Sequence, residues 1–187
     1  MIKGINRASR EQRTRAGSAG KSFLAWRDKP CVFISHQRED SEACKPIADY
    51  FIDAGVDVYF DQYDTALNAL VASGDADRIT RHIRDGVHFS THMICVVSPN
   101  TIKSHWVPFE VGYGYDRVVL GVLTLKGMDD SELPEYMKTT SVLRGAKSLD
   151  HFLLELLKER KDYSAGRTLA RSTLSGHPLA RVLDWNK

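Results

Sequence analysis

The segment "SHWVPFEVGYG" (residues 104–114) sets a glutamate four residues after a tryptophan, with a proline between them. Proline fixes φ and lacks an N–H, so Pro108 is expected at the first helical position, which puts Glu110 in the first turn. There the unpaired backbone N–H groups and the positive end of the helix dipole favour a carboxylate over a neutral acid. Trp106, just ahead of the helix, can wall one side of that carboxylate. Two readings stay open on this segment alone. Glu110 completes the helix cap, or it is an anion held in place to meet a cation that develops during a reaction.

Which other groups can join Glu110 depends on the elements that carry them. "CVFIS" (31–35), "VDVYFD" (56–61), "HMICVVS" (92–98) and "RVVLGVLTL" (117–125) are short apolar runs expected to be buried strands, with "SVLRG" (141–145) as an edge strand. Amphipathic helices are expected from Asp40 or Ser41 to Gly55, over 79–90, around Glu110 and over 149–160, separated by a long loop at 62–78. Regular alternation of two-sided apolar strands with helices predicts an α/β, flavodoxin-like three-layer fold with a central, mostly parallel sheet of about five strands. Open sheets of this kind bind ligands beyond the carboxyl ends of the strands. That edge collects Ser35, His36, Asp61 and Ser98, and the loop after Ser98 leads directly to Trp106 and Glu110. The 62–78 loop is positioned to cover them.

Composition narrows the classes. The 187 residues carry a net charge of +2, unevenly spread: residues 1–30 hold eight Lys/Arg against Glu11 and Asp28, leaving 18 basic and 22 acidic residues beyond, net −4. Residues 1–30 are expected to be a basic, flexible leader, residues 31–160 the folded domain, and residues 161–187 a tail with apolar anchors at Leu179, Val182, Leu183 and Trp185 that could form a short docking helix. An acidic body argues against nucleic-acid binding. No apolar run reaches the roughly 20 residues of a membrane helix, and no secretory signal is visible. Cys31, Cys44 and Cys95 show no paired metal spacing, so neither a zinc site nor a disulfide framework is expected and a cytoplasmic location is. "RAGSAGKS" (15–22) ends like a phosphate-binding loop but has Arg15 in place of the first glycine and no strand before it. Gly112 and Gly114 are expected to permit close helix packing.

Three segments together carry a family likeness. "CVFISHQRED" resembles the first box of Toll/interleukin-1 receptor (TIR) domains, "VDVYFDQYD" looks like their second strand entering the BB loop, and "SPNTIKSHWVPFEV" is similar to their serine, tryptophan and glutamate segment. The likeness spans residues 31–160 in order. Many TIR domains cleave the nicotinamide–ribose bond of NAD+, and Glu110 occupies the position of their catalytic glutamate. The resemblance further implies that Ser35, His36 and Arg38 approach the dinucleotide, that Asp61 and Tyr63 open the covering loop, and that Trp106 lines the site, to which the strand-end rule adds Ser98. NAD+ would be the substrate, with no cofactor and no metal. The expected role is that of the TIR component of Thoeris anti-phage systems. There a cyclic or otherwise modified ADP-ribose signal activates a separate effector, and TIR domains self-associate. The loop lacks the Pro-Gly pattern of receptor BB loops. Two other functions fit the same residues: a non-catalytic TIR scaffold or virulence mimic, and a nucleoside deoxyribosyltransferase-like enzyme.

Overall fold

A strand that is apolar on both faces can be stable only between two layers of helices, and the two central strands here are of that kind. In the computed structural model, which describes residues 3–8, 29–61, 74–159 and 176–185, β1 (Cys31–Ser35) and β3 (His92–Val97) are buried along their whole length. With β2 (Asp57–Tyr59), β4 (Val119–Thr124) and β5 (Ser141–Leu143) they form one sheet in the order β2-β1-β3-β4-β5. Every pairing is parallel. This is the flavodoxin-like order, in which the chain reverses its direction of travel across the sheet between β1 and β3.

One face is covered by α1 (Ser41–Asp53) and α5 (Ala146–Glu159), whose Ile47, Phe51, Leu149 and Leu153 pack on Val32, Ile34, Ile94 and Val96. The other is covered by α2 (Ala76–His88), α3 (Val107–Gly114) and α4 (Glu135–Lys138), through Val87, Val107, Val111 and Met137 against the alternate strand positions Phe33, Met93, Cys95 and Val97. The two-residue period of each strand thus serves both cores. No helix among the described residues is long and apolar enough to cross a membrane.

Helix starts differ from the periodicity by one to three residues, and at two of them a polar side chain accepts from the backbone of the first turn. Asp75 accepts from Arg78 N, so α2 begins at Ala76 and not at 79. Ser104 Oγ accepts from Trp106 N and Val107 N, so α3 begins one residue before Pro108, which is second in the helix and not first. A Cβ on Gly114 would lie 2.6 Å from Met93 Cε, the movable end of a flexible side chain, so α3 packs closely on the sheet there and a larger residue would require Met93 to shift. Gly112 faces open space and has no such role.

Both ends of the described chain are packed. Residues 3–8, at the start of the stretch expected to be a flexible leader, lie against β2. Val58 N donates to Ile5 O (2.9 Å), Arg7 N donates to Val58 O (2.8 Å), and Asn6 bridges Val58 in parallel. The Arg7 guanidinium is 1% exposed and holds the equally buried Asp57 (3.0 Å), the Phe89 carbonyl and the Lys29 carbonyl. Lys29 Nζ adds a second cation to Asp57 at 2.6 Å. At the other end, residues 177–183 form turns, not a helix. Leu179 and Leu183 enter the core with Trp185 beside them, and the buried His177 ring lies 3.2 Å from an Asp150 oxygen that also accepts from Tyr50. The phosphate-loop lookalike at 15–22 falls outside the described residues.

A buried carboxylate deprived of its main cation is strongly destabilising. Arg7→Met is expected to lower unfolding free energy by about 3–5 kcal/mol in urea titrations. Lys3→Ala, which breaks only the exposed Lys3–Asp53 pair, should leave the unfolding midpoint unchanged.

Candidate active site

The reversal between β1 and β3 lies at their carboxyl ends, where open sheets of this order bind ligands, and the Glu110 side chain reaches the end of β1 there. Its backbone N–H is already bonded to Trp106 O (2.9 Å), and capping is done by Ser104. The side chain is therefore free to leave its own helix. Its Oε2 accepts from Ser35 Oγ at 2.5 Å, joining two residues 75 positions apart, with Ser35 1% and Glu110 7% exposed. Cys95, the register partner of Ser35 on β3, forms the floor. Its thiol is pushed up to about 12, mainly by burial, and so is no nucleophile at neutral pH.

The ionisation of Glu110 runs against the expectation from its helix. Its pKa is raised to about 8: burial pushes it up, the Ser35 hydroxyl offsets part of that rise, and the like charge of Asp61 adds to it. The dipole at the helix start is outweighed because the carboxyl sits where water does not reach it. At neutral pH the free protein holds this group mostly as an acid.

The other expected residues divide. His36 is placed at the end of β1 with its ring 4.9 Å from that of Phe60, its Nδ1 on Ile34 O (3.1 Å) and its Nε2 near Ser41 Oγ (3.1 Å). Its polar atoms are satisfied by the fold itself. Asp61, partly exposed, lies 4.0 Å from His36 Nδ1. Trp106 is half-buried at the start of α3, edge-on to Phe109. Arg38 is exposed on the 3-10 turn Arg38–Asp40 that follows β1. Ser98 is brought to Asp40 and not to Glu110: its hydroxyl donates to Asp40 Oδ2 at 2.5 Å and accepts from Asn100 N, while Asn100 Nδ2 holds the other Asp40 oxygen. Tyr63, with residues 62–73, lies outside the described residues.

Asp40, Ser104 and Cys95 carry parts of the site that sequence reasoning missed. Asp40 looks like an α1 cap, but makes no cap hydrogen bond and instead ties the turn after β1 to the turn after β3. Only the pairing of β1 with β3 exposes that role. Among the described residues no cluster of His, Cys, Asp and Glu could hold a metal ion, and all three cysteines are buried free thiols.

The family model for the TIR domain matches residues 32–151. The chain belongs to the TIR domain family. Among solved structures, it is similar to the TIR domain of the Toll-related receptor TRR-2 from Hydra magnipapillata, at 17% identity over 72% of this chain and 96% of that one, with a TM-score of 0.47. No curated protein matches. The matched segment of this TIR domain runs from the second residue of β1 through β5 and contains every candidate residue named above, whereas the packed segments 3–8 and 176–185 lie outside it.

Because the folded pKa of Glu110 is raised, the native state keeps a proton that the unfolded chain has released between about 4.5 and about 8. Stability contributed by this group is therefore lost as pH rises through that window. Glu110→Gln, which imitates the protonated acid, should match wild type near pH 4. It should exceed wild type by a few kcal/mol, on the order of 1.4 per pKa unit, at pH 9 in urea unfolding.

Proposed function

We propose that this TIR domain is an NAD+-consuming enzyme that cleaves the nicotinamide–ribose bond. The observation that carries the reading is the buried Ser35–Glu110 pair at the β1/β3 reversal. It is a single carboxyl, bonded to the end of β1, one helical turn after a half-buried tryptophan and at the edge where sheets of this order bind ligands. A glutamate kept only for its helix would have no reason to be 7% exposed and bonded to another strand.

The chemistry suits one carboxylate. As the C1′–N bond of NAD+ breaks, its electron pair goes to the pyridinium ring, which leaves as neutral nicotinamide, and the ribose takes on oxocarbenium character. A second carboxyl acting as general acid is not required, since the leaving group is already cationic. Ionised Glu110 stabilises the developing positive charge or grips the ribose hydroxyls, an effect worth roughly 3–4 kcal/mol in a partly dry site. Ser35 holds the carboxyl in the orientation it needs. Arg38 can meet the pyrophosphate with its planar guanidinium, and Trp106 offers its ring to the site's wall. Capture of C1′ by water yields ADP-ribose and one proton. Capture by a nitrogen of the bound adenine yields a cyclic ADP-ribose, lighter than ADP-ribose by the water not added, and one proton.

In the proposed biological role the product is an ADP-ribose-derived, cyclic signal that activates a separate effector in anti-phage defence, with TIR self-association supporting the activity. The family likeness of the segments around Ser35, Asp61 and Glu110 supports this role.

The test is nicotinamide release from NAD+, with products resolved by mass, for wild type and Glu110→Gln at low and high protein concentration. Wild type should release nicotinamide and the variant should be slower by about two to three decades. Equal rates, or no release by wild type even in concentrated assemblies supplied with phage-infected extract, would favour a scaffold in which Glu110 has no chemical part.

A further inference from the structure

The family match begins at residue 32, yet the fold begins earlier. Residues 3–8 run beside β2, the strand whose end carries Phe60 and Asp61 into the site. β2 itself is only three residues long and ends at Tyr59. Beyond it, the edge of the chain would show unpaired backbone groups. The Asn6 side chain takes that place. Its Nδ2 donates to Phe60 O at 2.7 Å, its Oδ1 accepts from Phe60 N at 3.1 Å, and the same oxygen accepts from Ala8 N at 3.1 Å. A primary amide thus grips both backbone groups of one residue, as a neighbouring strand would.

Two further features fix the register of this grip. Gly4 passes so close to β2 that a Cβ there would lie 1.9 Å from Val56 O, and Arg7 is locked in the buried cluster with Asp57. The arm cannot slide by a residue without breaking both. The held residue, Phe60, is 2% exposed and packs its ring on His36. The next residue is Asp61, which lies 4.0 Å from His36 and whose charge acts on Glu110.

We propose that Asn6 is a positioning residue for the Glu110 site, clamping the Phe60 peptide so that Asp61 and His36 keep their places at its rim. The arm is therefore part of the catalytic domain. The groups that face Glu110 are Ser35 from β1, Cys95 from β3 and Asp61 after β2, and of these only Asp61 depends on the clamp. For its catalytic arm the proposal rests on the NAD+-cleaving reading. Its structural arm does not.

The experiment compares full-length wild type, Asn6→Ala, Asn6→Gln and Lys3→Ala. Asn6→Gln keeps the amide but displaces it by one methylene, so it serves if the alanine variant fails to fold. Lys3→Ala alters the same arm far from the site. Two quantities are read on folded protein: kcat and KM for nicotinamide release, and the titration of Glu110 followed by carboxyl NMR, which needs no substrate. The Asn6 variants should lose at least tenfold in kcat/KM, and their Glu110 midpoint should fall below about 8 as Asp61 moves away. Lys3→Ala should match wild type in both. An unchanged Glu110 midpoint and unchanged kcat/KM, with only a lower melting temperature, would overturn the proposal and leave Asn6 as an edge support. Should wild type release no nicotinamide at all, the NAD+ reading fails while the titration still decides whether Asn6 sets the site.

Discussion

The hydrogen bond from Ser35 to Glu110 is the constraint around which the rest of this TIR domain is arranged. It closes only if the end of β1 and the first turns of α3 meet at one point, and that requires β1 and β3 to be neighbours while the chain between them passes over opposite faces. The parallel order β2-β1-β3-β4-β5 supplies this. Asp40 and Ser98 then tie the two turns that leave β1 and β3, and Ser104 caps α3 so that its glutamate has no helix end to serve. Burial makes the carboxyl reluctant to ionise, and in the proposed reaction its charge would be most stable when a cation forms in front of it.

Much of this was legible in the residues. Strands buried on both faces, such as 31–35 and 92–97, can belong only to a covered parallel sheet, and the carboxyl-end rule then selected Ser35, Asp61 and the approach to Glu110 without coordinates. Two kinds of information were not legible. Cap identity was ambiguous wherever several polar residues stood in a row: Asp40 resembles a cap and Ser104 does not, yet their roles are reversed. The balance between dipole and desolvation at Glu110 was also hidden, because it depends on a side-chain direction that the sequence does not state. The first-turn position and the Ser35 hydroxyl favour the anion, and the burial that the side-chain direction imposes favours the acid by a wider margin.

The chain ends teach a related lesson. Eight basic residues within the first thirty look like a solvated arm, and charge count alone gives no sign that Arg7 is the most buried cation in the described protein's β2 edge. Its partner Asp57 lies 50 residues away in a strand where an acid would otherwise be out of place. A buried aspartate at the start of an apolar strand was the available signal, and it points to a cation that must come from elsewhere in the chain. The C-terminal turns do the same on the opposite face, where Leu179 and Leu183 complete a core that α1 and α5 leave open.

The proposed NAD+ cleavage turns on the ionisation of one carboxyl, Glu110, in the unliganded protein. The measurement that tests it is the pH dependence of kcat/KM for nicotinamide release between pH 5 and 9, which reports groups of the unliganded protein. If ionised Glu110 is the form that stabilises the ribosyl cation, the rate constant should rise with pH and level off with a midpoint near 8. A profile flat across that range, or one already complete by pH 5 as for an ordinary exposed carboxylate, would contradict it.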